Sequence, residues 1–502
     1  MSATPLLDAV IVGSGFSGLG MAVSLSRAGK KFVVLEKGAG VGGTWRDNRY
    51  PGCACDVQSH LYSFSFAPNP NWSRAYAPQK EILAYLEKVA TDYAVRPHCH
   101  FHQEVEAATW DESKHVWTVR THTGVEHRAR HLVFGIGGLH HPKLPNVPGR
   151  ERFQGLQLHS AEWDERADLT GKRVVVVGTG ASAIQLVPAL APHVKQLTLL
   201  QRTPAWVLPR NDGPIGAFWK WLYRVLPFTM LLSRLRIYAL AEAKFLAFKR
   251  RWLMELGEKR SKAHLKKQVK DPRLQQLLTP TYAAGCKRIL VSDDYYPAFN
   301  RENVTLEPCA VSEVTEKGVR TPDGRELECD AIAWCTGFDV AAPLKRMKVT
   351  GVDGKDLATE GWTHGLRAYK GTTIPGFPNL YMLMGPNTGL GHNSMVYMIE
   401  SQIHFVMQHL RALEQAGATA IEVKADVERR YNDELMALMP QTPWTSGCTS
   451  WYLDDQRRPV MLWPKNTWAF RAQTRELSAD EVTMRGTARA STSSELKSVA
   501  AS

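Results

Sequence analysis

Two segments of the chain repeat one pattern of apolar and small residues. The first, Asp8-Ala-Val-Ile-Val-Gly13-Ser-Gly15-Phe16-Ser-Gly18, runs into a helix-like stretch and then into Lys31-Phe-Val-Val-Leu-Glu36. The second, Lys172-Arg-Val-Val-Val-Val-Gly178-Thr179-Gly180-Ala-Ser182-Ala183, leads in the same way to Gln196-Leu-Thr-Leu-Leu-Gln-Arg202. Each reads strand, glycine turn, helix, strand, which predicts a dinucleotide-binding βαβ unit. The first glycine allows a tight turn and the second lets backbone approach a pyrophosphate. The third position, Gly18 or Ala183, permits close helix packing, and the helix N-terminus then faces the phosphates. A single such turn is weak evidence; two, each after a β-branched strand, are strong.

The units differ where they end. Glu36 lies 23 residues after Gly13, where a carboxylate accepts hydrogen bonds from ribose hydroxyls and repels a 2′-phosphate. Arg202 lies 24 residues after Gly178, where a guanidinium suits a 2′-phosphate. The first site is therefore expected to take FAD or NAD and the second NADP. Beyond a turn-rich stretch from Pro209 to Pro214 the pattern predicts helix to about Pro280. Strand signals resume at Lys287 to Val291, Val304 to Leu306, Asp330 to Trp334 and Leu380 to Met384.

Charge changes this picture in one place. The chain of 502 residues carries 62 basic and 49 acidic side chains, a formal +13. Between Gly216 and Lys270 stand fourteen Lys or Arg against three acids (Glu242, Glu255, Glu258), so +11 of the excess sits in that segment. A uniformly basic nucleic-acid binder is excluded on that ground. The segment reads either as a helical cap with a solvated basic face or as a peripheral contact with an anionic membrane through residues 216–270. Its longest largely apolar stretch, Val225 to Leu232, is eight residues, where a spanning helix needs roughly twenty. Met1 to Leu7 has no basic n-region, so no signal peptide is read. The eight cysteines are scattered and read as reduced thiols of a cytosolic protein. Cys53 and Cys55 lack a second pair, so no metal site is expected.

From Phe153 the sequence becomes distinctive: Phe153-Gln-Gly155-Leu-Gln-Leu-His159-Ser-Ala-Glu-Trp163-Asp164. It resembles the F-x-G-x-x-x-H-x-x-x-W-[P/D] fingerprint of type I flavin-dependent Baeyer–Villiger monooxygenases at every specified position. Gly42-Gly43-Thr44-Trp45, Asn48-Arg49-Tyr50-Pro51-Gly52 and Cys55-Asp56-Val57 resemble the family's flavin-side loop. Gly285-Cys286-Lys287-Arg288 resembles its catalytic-arginine region, Cys335-Thr336-Gly337-Phe338-Asp339 a domain-linking strand, and Gly385-Pro386-Asn387 a later flavin contact. Arg46-Asp47 departs from the pattern, standing where many ketone-oxidising members have two aromatic residues. Asp454 to Pro459 lacks the Gly-x-Asn often seen there.

The resemblance implies an α/β fold with two Rossmann-like dinucleotide-binding domains, for FAD and NADPH, and a helical insertion. Residues 1–145 would begin the FAD domain and 146–209 the NADPH domain. Residues 210–284 would be the basic helical insertion, and 285–384 the rest of the NADPH domain. The FAD domain and a substrate-side loop would follow over 385–476, and 477–502 would be a disordered tail. The implied FAD contacts are Gly13, Gly15, Phe16, Gly18, Glu36, Thr44, Trp45, Asp56, Tyr62, Val105 and Asn387. The implied NADPH contacts are Gly178, Thr179, Gly180, Ser182, Ala183, Arg202 and Lys287, with Lys287 pointing away from Arg288 along a strand. The implied reaction uses O2 to insert oxygen beside the carbonyl of a hydrophobic ketone, aliphatic or cyclic, through a C4a-peroxyflavin, giving an ester or lactone. Arg288 would supply the fixed cation and Asp56 would orient it. His159 and Trp163 would belong to a hinge, or simply pack as core. The competing expectation is a flavin-containing monooxygenase acting on sulfides or amines; a disulfide reductase is disfavoured by the tight Cys53-Ala-Cys55 spacing. Oligomeric state is not legible.

Overall fold

The computed structural model describes residues 5–340, 342–359, 365 and 367–486. Both β-branched runs predicted as strands lie at the centre of sheets, because neither face of either run can meet water without exposing apolar side chains. In the first sheet Leu6–Val12 is flanked in parallel by Phe32–Leu35 on one side and Glu126–Phe134 on the other. The sheet continues through Val116–Thr121, Val105–Asp111 and Lys348–Thr350 at one edge and Cys99–His100 at the other. Leu380–Met382 pairs in parallel beyond Glu126–Phe134. The second sheet is wholly parallel, in the order Val304–Glu307, Gln196–Leu200, Arg173–Val177, Ala331–Trp334, Leu156–His159. Each central strand is followed by its crossover helix, Phe16–Arg27 or Ala181–Leu190. This is a mixed α/β fold with two Rossmann-like units.

The chain returns to the first sheet at Lys348, well before residue 385, where the sequence placed the boundary. The insertion consists of helices Ala217–Val225, Pro227–Lys249 and Arg251–Gln268, broken before Pro227 and at Arg250, with a short helix Pro272–Leu277 after them. Of the expected tail, residues 477–486 are ordered. Ser478 and Glu481 form a capping box, and Val482–Arg485 pairs antiparallel with Ala420–Val423. Val482 is buried, so this stretch has an apolar anchor that its polar composition concealed. Residues 487–502 lie outside the described residues.

Candidate active site

The two glycine turns have the same geometry. Gly13 and Gly178 take φ of 96° and 114°, and a Cβ on either would overlap a carbonyl of the neighbouring strand's extension, Gly135 in the first unit and Cys335 in the second. Only glycine fits both the dihedral and the contact. Gly15 and Gly180 cap the crossover helices with no side-chain bond to the first-turn amides, which leaves those amides to an anion. Both turns therefore fit a pyrophosphate.

Glu36 ends the first unit as expected and is buried. Its carboxylate accepts from Ser14 N at 2.9 Å, Ser14 Oγ at 2.7 Å and Gly38 N at 2.7 Å, and meets Arg46 Nη1 at 2.8 Å. Burial alone would raise its pKa, but Arg46 and these donors hold it below the ordinary carboxylate value. Arg46 also forks onto Asp47, at 2.7 and 3.0 Å. The Arg46-Asp47 departure thus supplies Glu36 with its counter-ion. Around it, Trp45 Nε1 donates to the Tyr62 hydroxyl at 3.2 Å, and Tyr62 meets Phe16 edge-on at 5.1 Å. Thr44 opens the short helix Thr44–Asp47 after Gly43. Gln103 N donates to Glu36 O, so the chain leading to Val105 borders the same end of the sheet. Asn387 is buried at φ 53°; its Nδ2 donates to Pro459 O and Leu462 O, both at 3.0 Å, and its Oδ1 has no partner among the described residues. That orphan acceptor fits a flavin N–H.

In the second unit Thr179 Oγ1 donates to Thr203 O at 2.7 Å, and Ser182 and Ala183 lie in the first turn of the helix. Burial and the nearby Arg202 guanidinium lower the Lys287 pKa. Lys287, its Nζ 5.0 Å over the Tyr282 ring, is near enough to feel the Arg202 charge, which fits a shared anion. Lys287 and Arg288 are not on a strand: the strand begins at Leu290, and both precede it in a turn after Gly285. Their divergence comes from the turn, not from strand alternation.

Arg288 meets Asp56 through Nε at 2.9 Å and Nη2 at 2.7 Å, and donates from Nη1 to Leu390 O at 3.1 Å. The Asp56 carboxylate holds the guanidinium's pKa above its already high value, so its charge is permanent. Tyr452 is buried beside it; burial raises the phenol to about 12 even though Arg288 pulls the other way. Phe245 packs on His392 at 5.0 Å, and Phe248 faces Trp444 at 6.3 Å, so aromatic rings gather two residues along the chain from Leu390, although His392 Nε2 also lies 3.5 Å from Glu242.

Comparison with known proteins gives this geometry its family. The pyridine nucleotide-disulphide oxidoreductase family matches residues 10–213, which hold both glycine turns. A Baeyer–Villiger monooxygenase of Pseudomonas aeruginosa is 47% identical over 97% of this chain and 93% of its own. One of Streptomyces coelicolor is 47% identical over 94% and 91%. This chain belongs to the Baeyer–Villiger monooxygenase family. Among solved structures, an oxidised steroid monooxygenase bound to NADP superposes with a TM-score of 0.86 at 30% identity, covering 96% of this chain and 99% of that one. A cyclohexanone monooxygenase of Rhodococcus sp. Phi1 bound to NADP+ gives 0.86 at 28%, covering 97% and 100%. The Baeyer–Villiger monooxygenase described here is an NADPH-dependent flavoprotein with FAD as its flavin.

In this Baeyer–Villiger monooxygenase the fingerprint residues form a packed linker. Phe153 is buried, and a Cβ on Gly155 would press on its ring and on Asp330 O. His159 ends a strand; its Nδ1 accepts from Ala161 N at 3.0 Å, and burial lowers its pKa to about 4. Trp163 is buried and lines a cavity of about 660 Å³ beside Tyr50 and Ala54. Asp164 pairs with exposed Arg166.

Several residues were missed. Gln185 bridges the two units, accepting from the Tyr50 hydroxyl at 2.8 Å and donating to Ala54 O at 3.0 Å. Tyr452 and Leu390 complete the arginine's surroundings. The reading of all eight cysteines as reduced thiols is corrected: Cys286 and Cys448 form a disulfide, while six are free among the described residues. Cys53 and Cys55 are among the free ones; burial raises the Cys53 thiol to about 12, so neither behaves as a redox pair.

Proposed function

We propose that this enzyme inserts one oxygen atom of O2 beside the carbonyl of a hydrophobic ketone, aliphatic or cyclic, to give an ester or lactone. The observation that carries this reading is the permanently charged Arg288, fixed by Asp56 and Leu390 O. Reduced by NADPH, bound FAD would supply the activated oxygen. The protein's part is to hold negative charge beside a fixed cation. Asp56 occupies the Nε–Nη2 edge of Arg288 and Leu390 O accepts from Nη1, so the guanidinium is fixed in place beside Tyr452. There it would stabilise an anionic oxygen nucleophile and the negative charge that grows on the ketone oxygen. Oxygenation of sulfides or amines by a protonated oxidant has no use for such a cation. The apolar wall of Phe245, Phe248, Trp444 and Leu390 supports a hydrophobic substrate, as do the steroid and cyclohexanone monooxygenases among the similar structures. We assign Glu36 to the FAD ribose, and Arg202 with Lys287 to the NADPH 2′-phosphate.

Arg288→Ala is expected to keep anaerobic reduction of FAD by NADPH. Its ester formation should fall by about 10²–10³, the usual loss of one preorganised charge. Oxygenation of a ketone at the wild-type rate would remove Arg288 from the mechanism. Turnover of a sulfide in preference to a ketone by the wild type would replace the ketone reading.

A further inference from the structure

The insertion has two unlike faces. Its inner face is bolted to the rest of the molecule. Arg234 Nη1 donates to His60 O and Ser63 O, both at 2.9 Å, and Ser233 Oγ bonds His60 Nδ1 at 2.8 Å. Further along the same helix, Glu242 accepts from Asn393 Nδ2 and Thr467 Oγ1, both at 2.6 Å. Met230, Ala241 and Phe245 of the same helix are buried on this face.

The outer face is apolar and exposed. Phe218, Trp221 and Val225 recur at helical spacing on Ala217–Val225, and Phe228, Leu232 and Leu235 on Pro227–Lys249. Their exposure runs from 53% to 63%. Of the 20 exposed large hydrophobic side chains among the described residues, 13 lie between Phe218 and Leu256. No acidic residue occurs between Asp212 and Glu242, whereas Lys220, Arg224 and Arg236 stand among the apolar ones. A merely solvated basic face would not present this apolar surface to water.

We propose that this face docks on an anionic lipid surface, with its aromatic and aliphatic side chains at the headgroup boundary and its bases against the headgroups. Charge decides the occupant. A second copy meeting the same patch would bring Lys220, Arg224 and Arg236 against their own like charges, with no acid between Asp212 and Glu242 to offset them, whereas an anionic leaflet neutralises them. The helices lie along the surface, since no helix among the described residues is long and apolar enough to cross a membrane. The docked helix also carries Phe245 and Phe248 to the site, where they meet His392. A lipid-dissolved substrate would thus be presented beside the catalytic wall. The docking itself does not rest on the ketone reading.

Flotation of the FAD-loaded full chain with vesicles tests it. Vesicles of phosphatidylcholine with phosphatidylglycerol are expected to carry the enzyme at low salt, and high salt should release it. The triple variant Trp221→Ser, Phe228→Ser, Leu232→Ser changes only exposed side chains. It should keep wild-type ketone turnover in solution and bind these vesicles at least about tenfold more weakly. Absence of wild-type flotation at low salt overturns the proposal, as does undiminished binding by the variant. A lipid-free dimer in sedimentation that the variant dissolves would assign the face to a second copy and also overturn it.

Discussion

Arg46 shows how a departure from a family pattern can be explained only by folding. It stands in the short helix Thr44–Asp47, where many ketone-oxidising members have an aromatic residue. Folded, its guanidinium turns onto Glu36, with side-chain exposures of 9% and 4% for the pair. Removing one partner of so buried a pair leaves the other charge without its counter-ion, at about 3 kcal/mol. We expect Glu36→Gln to lose roughly that much stability to urea and to retain FAD less well. The loss depends on pH. The folded Glu36 pKa is depressed, so its contribution is complete above the unfolded value of 4.5 and fades as pH falls through the folded one. Wild-type and variant stabilities should therefore converge in acid. A gap that stays constant through that range would mean that the carboxylate charge is not what stabilises this loop.

At the scale of elements, the disulfide joins pieces that local pattern keeps apart. Cys286 is two residues from Arg288, and Cys448 is four from Tyr452, across a sequence separation of 162. The bond ties the turn carrying the arginine to the loop that covers it. Opening a link of that span typically costs about 2–4 kcal/mol. We expect six thiols to react in the denatured enzyme before reduction and eight after it. Cys448→Ser should lower the melting temperature, and dithiothreitol should lower that of the wild type but not of the variant. Eight reactive thiols before reduction would remove the bond. The same distinction marks what the sequence could disclose. The two glycine turns and the strands around them were legible because a fixed short spacing carries each of them, and the Phe153 to Asp164 linker because it resembles a family fingerprint. Arg288 and Asp56 were legible only through resemblance, since 232 residues separate them. The Cys286–Cys448 bond, the Gln185 bridge and the Arg46–Glu36 pair leave no periodic trace, because folding alone creates them. The strand expected from Lys287 shrank to Leu290–Val291, since the turn at Gly285 uses the residues before it.

The whole molecule carries its acid sensitivity in buried histidines. Burial lowers His60, His159 and His409 to about 4 and His131 to about 3, from an ordinary value of 6.5. Geometry agrees for His159, whose Nδ1 accepts a backbone amide and must therefore lack a proton. His131 and His409 flank the buried Tyr381 ring, at 5.9 and 5.4 Å, so a charge on either would face an apolar surface and the other imidazole. A histidine with a lowered folded pKa binds its proton more readily when unfolded. Its contribution is therefore complete above pH 6.5 and is lost as pH falls toward the folded value. Each such group removes up to about 1.4 kcal/mol per pH unit in that window. Four together approach a typical total of about 10 kcal/mol within about two units. We expect urea stability to fall steeply between pH 6.5 and about 4.5, a range in which the Glu36 contribution is still complete and so does not change, with proton uptake accompanying unfolding. These histidines lie in both Rossmann-like units and in the helix Met395–Ala416, which packs on Phe16–Arg27 of the first, so loss of FAD and loss of secondary structure should coincide along the pH axis. Stability that stays flat from pH 7 to 5 would show that these imidazoles are already charged in the folded enzyme or reach solvent without unfolding it.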